Sequence, residues 1–495
     1  MSAGAATAPA RGAGSPREPP RGAVGLASAF AAAGIAVVVY LAFGGHAFLN
    51  YDSSYTLAWG ADLAAGRTPR YDVPVAPTPH PLALGIGVLL APLGDAAEGV
   101  FLALVLLAIG ALAVGVFRLG ARLYAWPVGL VAGAIVLTRQ PILNYGIRGY
   151  VDLPAIALVV WAAVLEARRP RRGAPVLVLL AIAGLLRPEA WLFAAVYWLW
   201  TAPALGWAGR ARLAALAISA PVVWAVSDLL VTGDPFSSLH GTSSLAAELE
   251  RPTGLLALPT VVPYRLGEIL RLPELVGAVL GFAAGLAWFR RRTLLPTAIA
   301  LLNGVACTAF AIAGLPLLGR YLFLAACMLA LFTGLAALGF TALPEDSGTV
   351  RLGGAAVGLT VLAALVLFFP IQLGRLSALR ADIAARDRVQ DRLHALVRQP
   401  PVARALASCG RLYLPNHRNV PSLAVWTDRP PRDFPSAQLA RPPARGLFLA
   451  PANATVARLS ILDPKDPRRL EAQTPPTYRP IARNDAWILY GACRR

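Results

Sequence analysis

Apolar residues run along this chain in long blocks, separated by short connectors that carry arginine. The first block, residues 24–48, exceeds the roughly 20 residues that take a helix across about 30 Å of hydrocarbon. No A-x-A-like cleavage site follows it and many further blocks do, so it reads as a transmembrane helix rather than a signal peptide. Further blocks lie near residues 98–119, 124–139, 151–167, 174–187, 189–203, 211–232, 273–289, 293–314, 318–341 and 352–372, which predicts about eleven transmembrane helices. The pair 174–187 and 189–203 is short, and one tilted helix accounts for it as well.

The polar positions orient this pattern. Arg118 and Arg122, then Arg168, Arg169, Arg171 and Arg172, then Arg210 and Arg212, then Arg290 to Arg292 fall in alternate connectors, which marks that side as cytoplasmic. A plasma-membrane, multi-pass protein follows, with a cytoplasmic N-terminus and an extracytoplasmic C-terminal domain. Residues 1–22, rich in Pro, Gly and Ala, read as a disordered cytoplasmic tail. Two long connectors, 45–98 and 233–271, lie on the outer side. In the first, Tyr55, Ala58, Trp59 and Asp62 recur at helical spacing and predict a short amphipathic helix in the membrane interface. A Pro-rich stretch then ends in an apolar run too short to span, read as a second interfacial or re-entrant piece. Past Pro370, residues 373–399 predict a charged, solvent-exposed helix, and short runs such as RLYLP, GLFLA and AWILY predict a small mixed domain with strands. The expected fold class is an all-α polytopic membrane domain over residues 23–372 with a small extracytoplasmic α/β domain over residues 373–495.

Composition sharpens the picture. Hydrophobic residues make up 57% and charged residues 14%, against about 45–50% and 25% in soluble domains, which excludes a disordered or ordinary cytosolic chain. The formal charge of +19 is carried almost entirely by arginine, and in a chain this apolar the positions of the arginines speak first of membrane topology, so no nucleic-acid partner is expected. Four cysteines exclude a disulfide-dense scaffold and form no metal-site spacing. Cys409 and Cys493 both fall in the outward part. A disulfide between them would close a long loop and contribute about 4 kcal/mol; two unpaired thiols is the other reading. Cys307 and Cys327 lie inside predicted spans as packing residues.

Two acids stand at the outer ends of predicted helices. Asp52 follows the first span, where scarce water favours a carboxylate acting as a base, although a polar anchor at a helix end needs the same residue. Asp152, in RGYVDLPAIAL, opens another span, either as reaction chemistry or as a charge complementing the helix dipole. Arg148, Arg187 and Arg320 also fall near outer helix ends, where guanidinium forks suit phosphate; singly, each also reads as a snorkelling arginine. Asp234 and His240, in the second outer connector, read as part of a solvated loop, with contact to a sugar or acceptor as the other reading.

Taken in order, NYDSSY after the first helix, T-P-H-P-L, R-x-Y-x-D-x-P, GLLRPEAWL and GRYLFLA resemble motifs of the GT-C superfamily of polyprenyl-phosphate-dependent glycosyltransferases, in particular its protein O-mannosyltransferase and aminoarabinose transferase branch. The resemblance covers about residues 24–372. It implies Asp52 as the acid at the reaction centre, Asp152 as the second acidic position, and Arg187 and Arg320, with Arg148, as holders of the lipid phosphate. His80-Pro81-Leu82 is similar to an H-P-P-L element lacking one proline, and Tyr55, His80 and Glu189 are expected to contact substrate. The implied function is inverting transfer of a sugar from a polyprenyl-phosphate donor to an extracytoplasmic hydroxyl on a glycan, lipid or protein. A monophosphate leaving group needs less charge compensation than a diphosphate, so no cofactor and no obligatory metal are expected. A lipid or sugar transporter and a noncatalytic anchor for cell-envelope assembly are the alternatives; P-loop, GxGxxG and G-x-S-x-G elements are absent from the sequence.

Overall fold

The computed structural model describes residues 21–461 and 472–493. The tail expected over residues 1–22 thus lies almost wholly outside the described residues. The membrane part consists of α1 (Arg21–Ala42), α2 (Tyr51–Ala64), α3 (Pro81–Leu90), α4 (Ala96–Leu123), α5 (Trp126–Thr138), α6 (Gln140–Ile147), α7 (Asp152–Arg168) and α8 (Ala174–Gly184), then α9 (Glu189–Thr201), α10 (Trp207–Thr232), α11 (Ser237–Glu248), α12 (Leu258–Ile269), α13 (Leu272–Trp288), α14 (Arg290–Ile312), α15 (Phe323–Leu338) and α16 (Gly348–Val397).

Among the described residues, six helices are long and apolar enough to cross a bilayer: residues 25–42 of α1, α4, α10, α14, the segment Gly319–Ala342 around α15, and α16. The number rises to eight if the bent pairs α5–α6, at 63°, and α12–α13, at 105°, each count as one span. The protein is therefore a multi-pass membrane protein. Each apolar block is helical, but α7, α8 and α9 have 17, 11 and 13 residues, only about 26, 17 and 20 Å at 1.5 Å per residue. The short pair α8 and α9 is a hairpin of two helices, tied by the Trp191 indole donating to the Gly184 carbonyl at 2.9 Å. The first span ends earlier than its apolar block because Gly44 and Gly45 take φ of +72° and +75°, a conformation that stops a helix.

The central helix is α15, buried almost all round, as its uniformly apolar sequence requires. It packs closely on α13, where a side chain at Gly281 would collide with the Phe332 carbonyl. The breaks in the two bent pairs meet each other: Arg139, between α5 and α6, donates to Glu274 in the first turn of α13 at 2.5 Å, with both side chains at most 5% exposed. Arg118, Arg122, Arg168 and Arg172 gather at one end of the bundle. The first turns of α2 and α7, and the turns before α9 and α15, lie at the other.

Helix α16 brings the chain back to that second end. Its 50 residues extend about 75 Å, more than twice the hydrocarbon thickness. Its second half, from residue 373, falls in the stretch expected to be solvent-exposed; instead Leu379, Ile383, Leu393, Leu396 and Val397 are buried. The C-terminal domain folds against that stripe. It contains α17 (Pro400–Cys409), β1 (Leu412–Tyr413), α18 (Val420–Thr427), β2 (Gly446–Pro451), α19 (Ala454–Leu459), β3 (Arg479–Arg483) and β4 (Trp487–Ala492). The strands form one sheet in the order β1-β2-β4-β3, parallel between β1 and β2 and antiparallel elsewhere. Trp487 on β4 is fully buried and donates to the Val389 carbonyl of α16 at 2.9 Å. The same core takes in Tyr51, Tyr55 and Trp59 of α2. Helix α2 is accordingly no half-exposed interfacial helix: Tyr55 and Trp59 are 0% and 1% exposed, because the C-terminal domain covers the face that the sequence pattern leaves unpartnered. Cys409 and Cys493 stand with Cα atoms 5.3 Å apart, a separation that suits a disulfide.

Candidate active site

Local chemistry sets the position of Asp52. Asn50 caps α2: its side-chain oxygen accepts from the backbone N–H groups of Asp52 and Ser53 at 2.8 and 3.2 Å. The Asn50 amide also donates to the Arg148 carbonyl at 2.8 Å, and the Ser53 hydroxyl donates to the Gly149 carbonyl at 2.6 Å. These bonds pin the first turn of α2 to the loop that leads into α7. From the other side, α3 crosses α2 so closely that a Cβ on Gly60 would stand 2.5 Å from the Gly87 carbonyl carbon. Asp52 therefore lies beside Asp152, the first residue of α7, although 100 positions separate them.

Arg320 joins the two acids. Its Nη1 is 3.5 Å from Asp52 Oδ2 and its Nε 3.7 Å from Asp152 Oδ1. Arg187 approaches the same oxygen, Asp152 Oδ1, with Nη1 at 3.3 Å, and it grips Glu189 with two bonds of 2.6 and 3.2 Å. Side-chain exposure separates the carboxylates: 3% for Asp152, 13% for Glu189 and 33% for Asp52. Asp152 is enclosed between two guanidinium groups, whereas Asp52 is open on one side. Tyr321 lies under Arg187, with the guanidinium 4.7 Å from the ring centre, and Tyr150 lies under Arg320 at 5.6 Å.

A small cavity of about 40 Å³ opens beside this cluster. Asp152, Arg187, Glu189 and Arg320 form its polar end, and Ile156, Val159, Phe193 and Leu324 line its apolar part. Asn303 also lines it; its amide donates to the Tyr321 carbonyl at 2.9 Å and its oxygen accepts from the Ala325 N–H at 3.2 Å, so it fixes the turn that presents Arg320.

His80 caps α3, buried and edge-on to Trp224. Burial pushes its imidazole down to about 3; Arg187 and Arg320 add to that shift and Asp152 opposes it. It is therefore neutral at physiological pH. Of the residues expected from sequence, Asp52, Asp152, Arg187, Glu189 and Arg320 come together, with His80 close behind them. Tyr55 stacks between Tyr51 and Trp59 in the adjoining core, at centroid distances of 4.9 and 5.0 Å. Arg148 does not line the cavity; its guanidinium lies 5.5 Å from the Tyr150 ring centre. Asp234 and His240 form an exposed pair at 2.7 Å. Among the described residues, no group of three His, Cys, Asp or Glu side chains is arranged to hold a metal ion. Tyr150 and Tyr321 stand inside the motifs R-x-Y-x-D-x-P and GRYLFLA without a role read for them, and Asn303 carries no motif. A lone asparagine in the apolar run LLNGVAC is the kind of polar residue inside a span that marks function.

No family model matches the sequence, and no curated protein matches it. Among solved structures, the chain is similar to ArnT from Cupriavidus metallidurans bound to undecaprenyl phosphate, at 13% identity and a TM-score of 0.47, over 95% of this chain and 98% of that one.

Proposed function

We propose that this protein is an integral-membrane inverting glycosyltransferase that moves a sugar from a polyprenyl-phosphate donor to an acceptor hydroxyl. The observation that carries the reading is the linked set Asp52–Arg320–Asp152–Arg187, with the most open carboxylate at one end and two arginines facing an apolar-walled cavity at the other. The acceptor O–H gives its proton to Asp52 as the oxygen attacks the anomeric carbon. The bond from that carbon to the phosphate oxygen breaks on the opposite face, and its electron pair leaves with the phosphate. Such a transition state has oxocarbenium character and a carboxylate on the attacking side. Arg320 and Arg187 then face the charge that develops on the leaving phosphate.

Within the site the roles divide by availability. Arg187 is already saturated by Glu189 and Asp152, so Arg320, whose two carboxylate contacts are both longer than 3.4 Å, is the guanidinium free to turn toward a phosphate. Asp152 compensates both arginines and holds them in place. The apolar side chains beside the two arginines suit the first carbons of an isoprenoid chain next to its phosphate. In this reading the site end of the bundle faces away from the cytoplasm, because the arginine-rich connectors collect at the opposite end. The test is incubation of purified protein with radiolabelled polyprenyl-phosphate sugars. Release of label that depends on Asp52 is expected; release unaffected by Asp52→Asn overturns the assignment.

A further inference from the structure

A second cavity, of about 690 Å³, lies at the seam between the bundle and the C-terminal domain, with a lining that shares no residue with the cavity above. Its lining brings together five arginines from four separate stretches of chain: Arg148 after α6, Arg375 and Arg386 on α16, Arg418 before α18 and Arg458 on α19. Among the described residues, Asp382 is the one carboxylate in that lining, and it is bound to Arg386 at 2.8 Å. Arg375 is held by the Glu268 carbonyl and by Gln140. Arg148 and Arg418 both place their guanidinium groups over the ring of Phe48, 5.8 and 5.9 Å from its centre, and Arg148 Nε is buried without a hydrogen-bond partner.

Gathering so much like charge opposes the docking of the two parts. Burial pushes the Arg418 guanidinium down to about 9, with Arg148 and Arg386 adding to the shift. An arginine whose charge is disfavoured by its surroundings destabilises the fold unless an anion completes the site. The volume falls in the range of small-molecule sites, about 300–1,000 Å³. Among the described residues of the lining, only Ala378, Leu379 and Ile461 are apolar, so the cavity suits a compact, highly charged group rather than an isoprenoid chain. Several guanidinium forks converging from different directions match a tetrahedral oxyanion better than a planar carboxylate.

We infer that this arginine-lined seam is a second anion site, separate from the Asp52 centre, which takes a phosphate group and thereby fastens the C-terminal domain to the bundle. The phosphate is either that of an anionic lipid headgroup or that of a water-borne phosphate compound.

The test uses the full chain in nanodiscs of neutral phosphatidylcholine, titrated with inorganic pyrophosphate while thermal unfolding is followed. Pyrophosphate should raise the unfolding midpoint of the wild type, and raising NaCl from 50 to 200 mM should weaken the effect. Arg418→Gln should do two things at once: raise the midpoint of the unliganded protein and weaken pyrophosphate binding at least tenfold. Arg458→Gln, at an exposed position, should weaken binding with no change in the unliganded midpoint. In discs containing phosphatidylglycerol, a raised midpoint that pyrophosphate no longer increases identifies the lipid headgroup as the source. An unchanged pyrophosphate response identifies the water-borne one. Absence of any response to both pyrophosphate and phosphatidylglycerol, or a response of equal size in both variants and wild type, overturns the inference.

Discussion

Arg320 places Nη1 3.5 Å from Asp52 Oδ2 while its Nε faces Asp152, so one guanidinium ties the accessible carboxylate to the enclosed one. The two acids should therefore respond differently to the same substitution. Asp52→Asn should lower sugar transfer about 10²–10⁴-fold, the usual contribution of a placed general base, with the unfolding midpoint nearly unchanged. Asp152→Asn strips the compensation from two buried arginines and should destabilise the fold by about 3–5 kcal/mol. Parallel transfer assays and thermal unfolding in detergent check the split; equal stability loss in both variants contradicts the assignment of roles.

Arg320→Lys keeps the charge and loses the fork. A single ammonium cannot face Asp52, Asp152 and a phosphate together. Transfer should fall about tenfold to a hundredfold, mostly through a higher KM for the lipid-linked donor. Steady-state kinetics over a range of donor concentrations reads this directly, and a pure kcat effect would remove Arg320 from donor binding.

His80 supplies a pH dependence whose sign follows from its depressed folded-state value, about 3, against the ordinary value of 6.5. Above the ordinary value both folded and unfolded chains carry neutral imidazole, and the stability is fully present. As pH falls from about 6.5 toward 3 the unfolded chain takes up a proton that the folded chain refuses, and stability is lost, by at most about 5 kcal/mol. Unfolding midpoints of the wild type should drop between pH 7 and pH 4 more steeply than those of His80→Gln. Parallel curves would show that His80 titrates normally.

The C-terminal domain should depend on Cys409 and Cys493. Their Cα separation of 5.3 Å permits a disulfide across 84 positions, worth about 4 kcal/mol in the chain-entropy description. Non-reducing peptide mass spectrometry should recover the linked pair, and reduction or Cys493→Ser should lower the unfolding midpoint. Alkylation of both thiols in the untreated protein would refute the linkage.

Much of this was legible in the apolar pattern. Blocks of the length of α4, α10 and α14 can satisfy their backbone in hydrocarbon only as helices, and the switch to short runs between prolines after Pro370 announced a different domain. Asp52, Asp152, Arg187 and Arg320 were legible as polar residues at helix ends in a chain otherwise poor in charge. The length of α1 was misread because the apolar block does not show that Gly44 and Gly45 leave the helical region. The burial of α2 was invisible because its second face is covered by residues more than 300 positions away, among them Leu393, Leu423 and Trp487.

By itself, then, the sequence determined a helical membrane bundle, the end of it that carries arginine-rich connectors, and the charged residues that gather at the other end. These follow from local hydropathy and charge, which act along the chain. Only the tertiary structure decided that Arg320 stands between Asp52 and Asp152, that Arg187 is spoken for by Glu189, and that Arg148 turns away to join Arg375, Arg386 and Arg418. Those are matters of distance between groups far apart in sequence, set by how the helices cross and by where the C-terminal domain docks, and no periodicity along the chain encodes them.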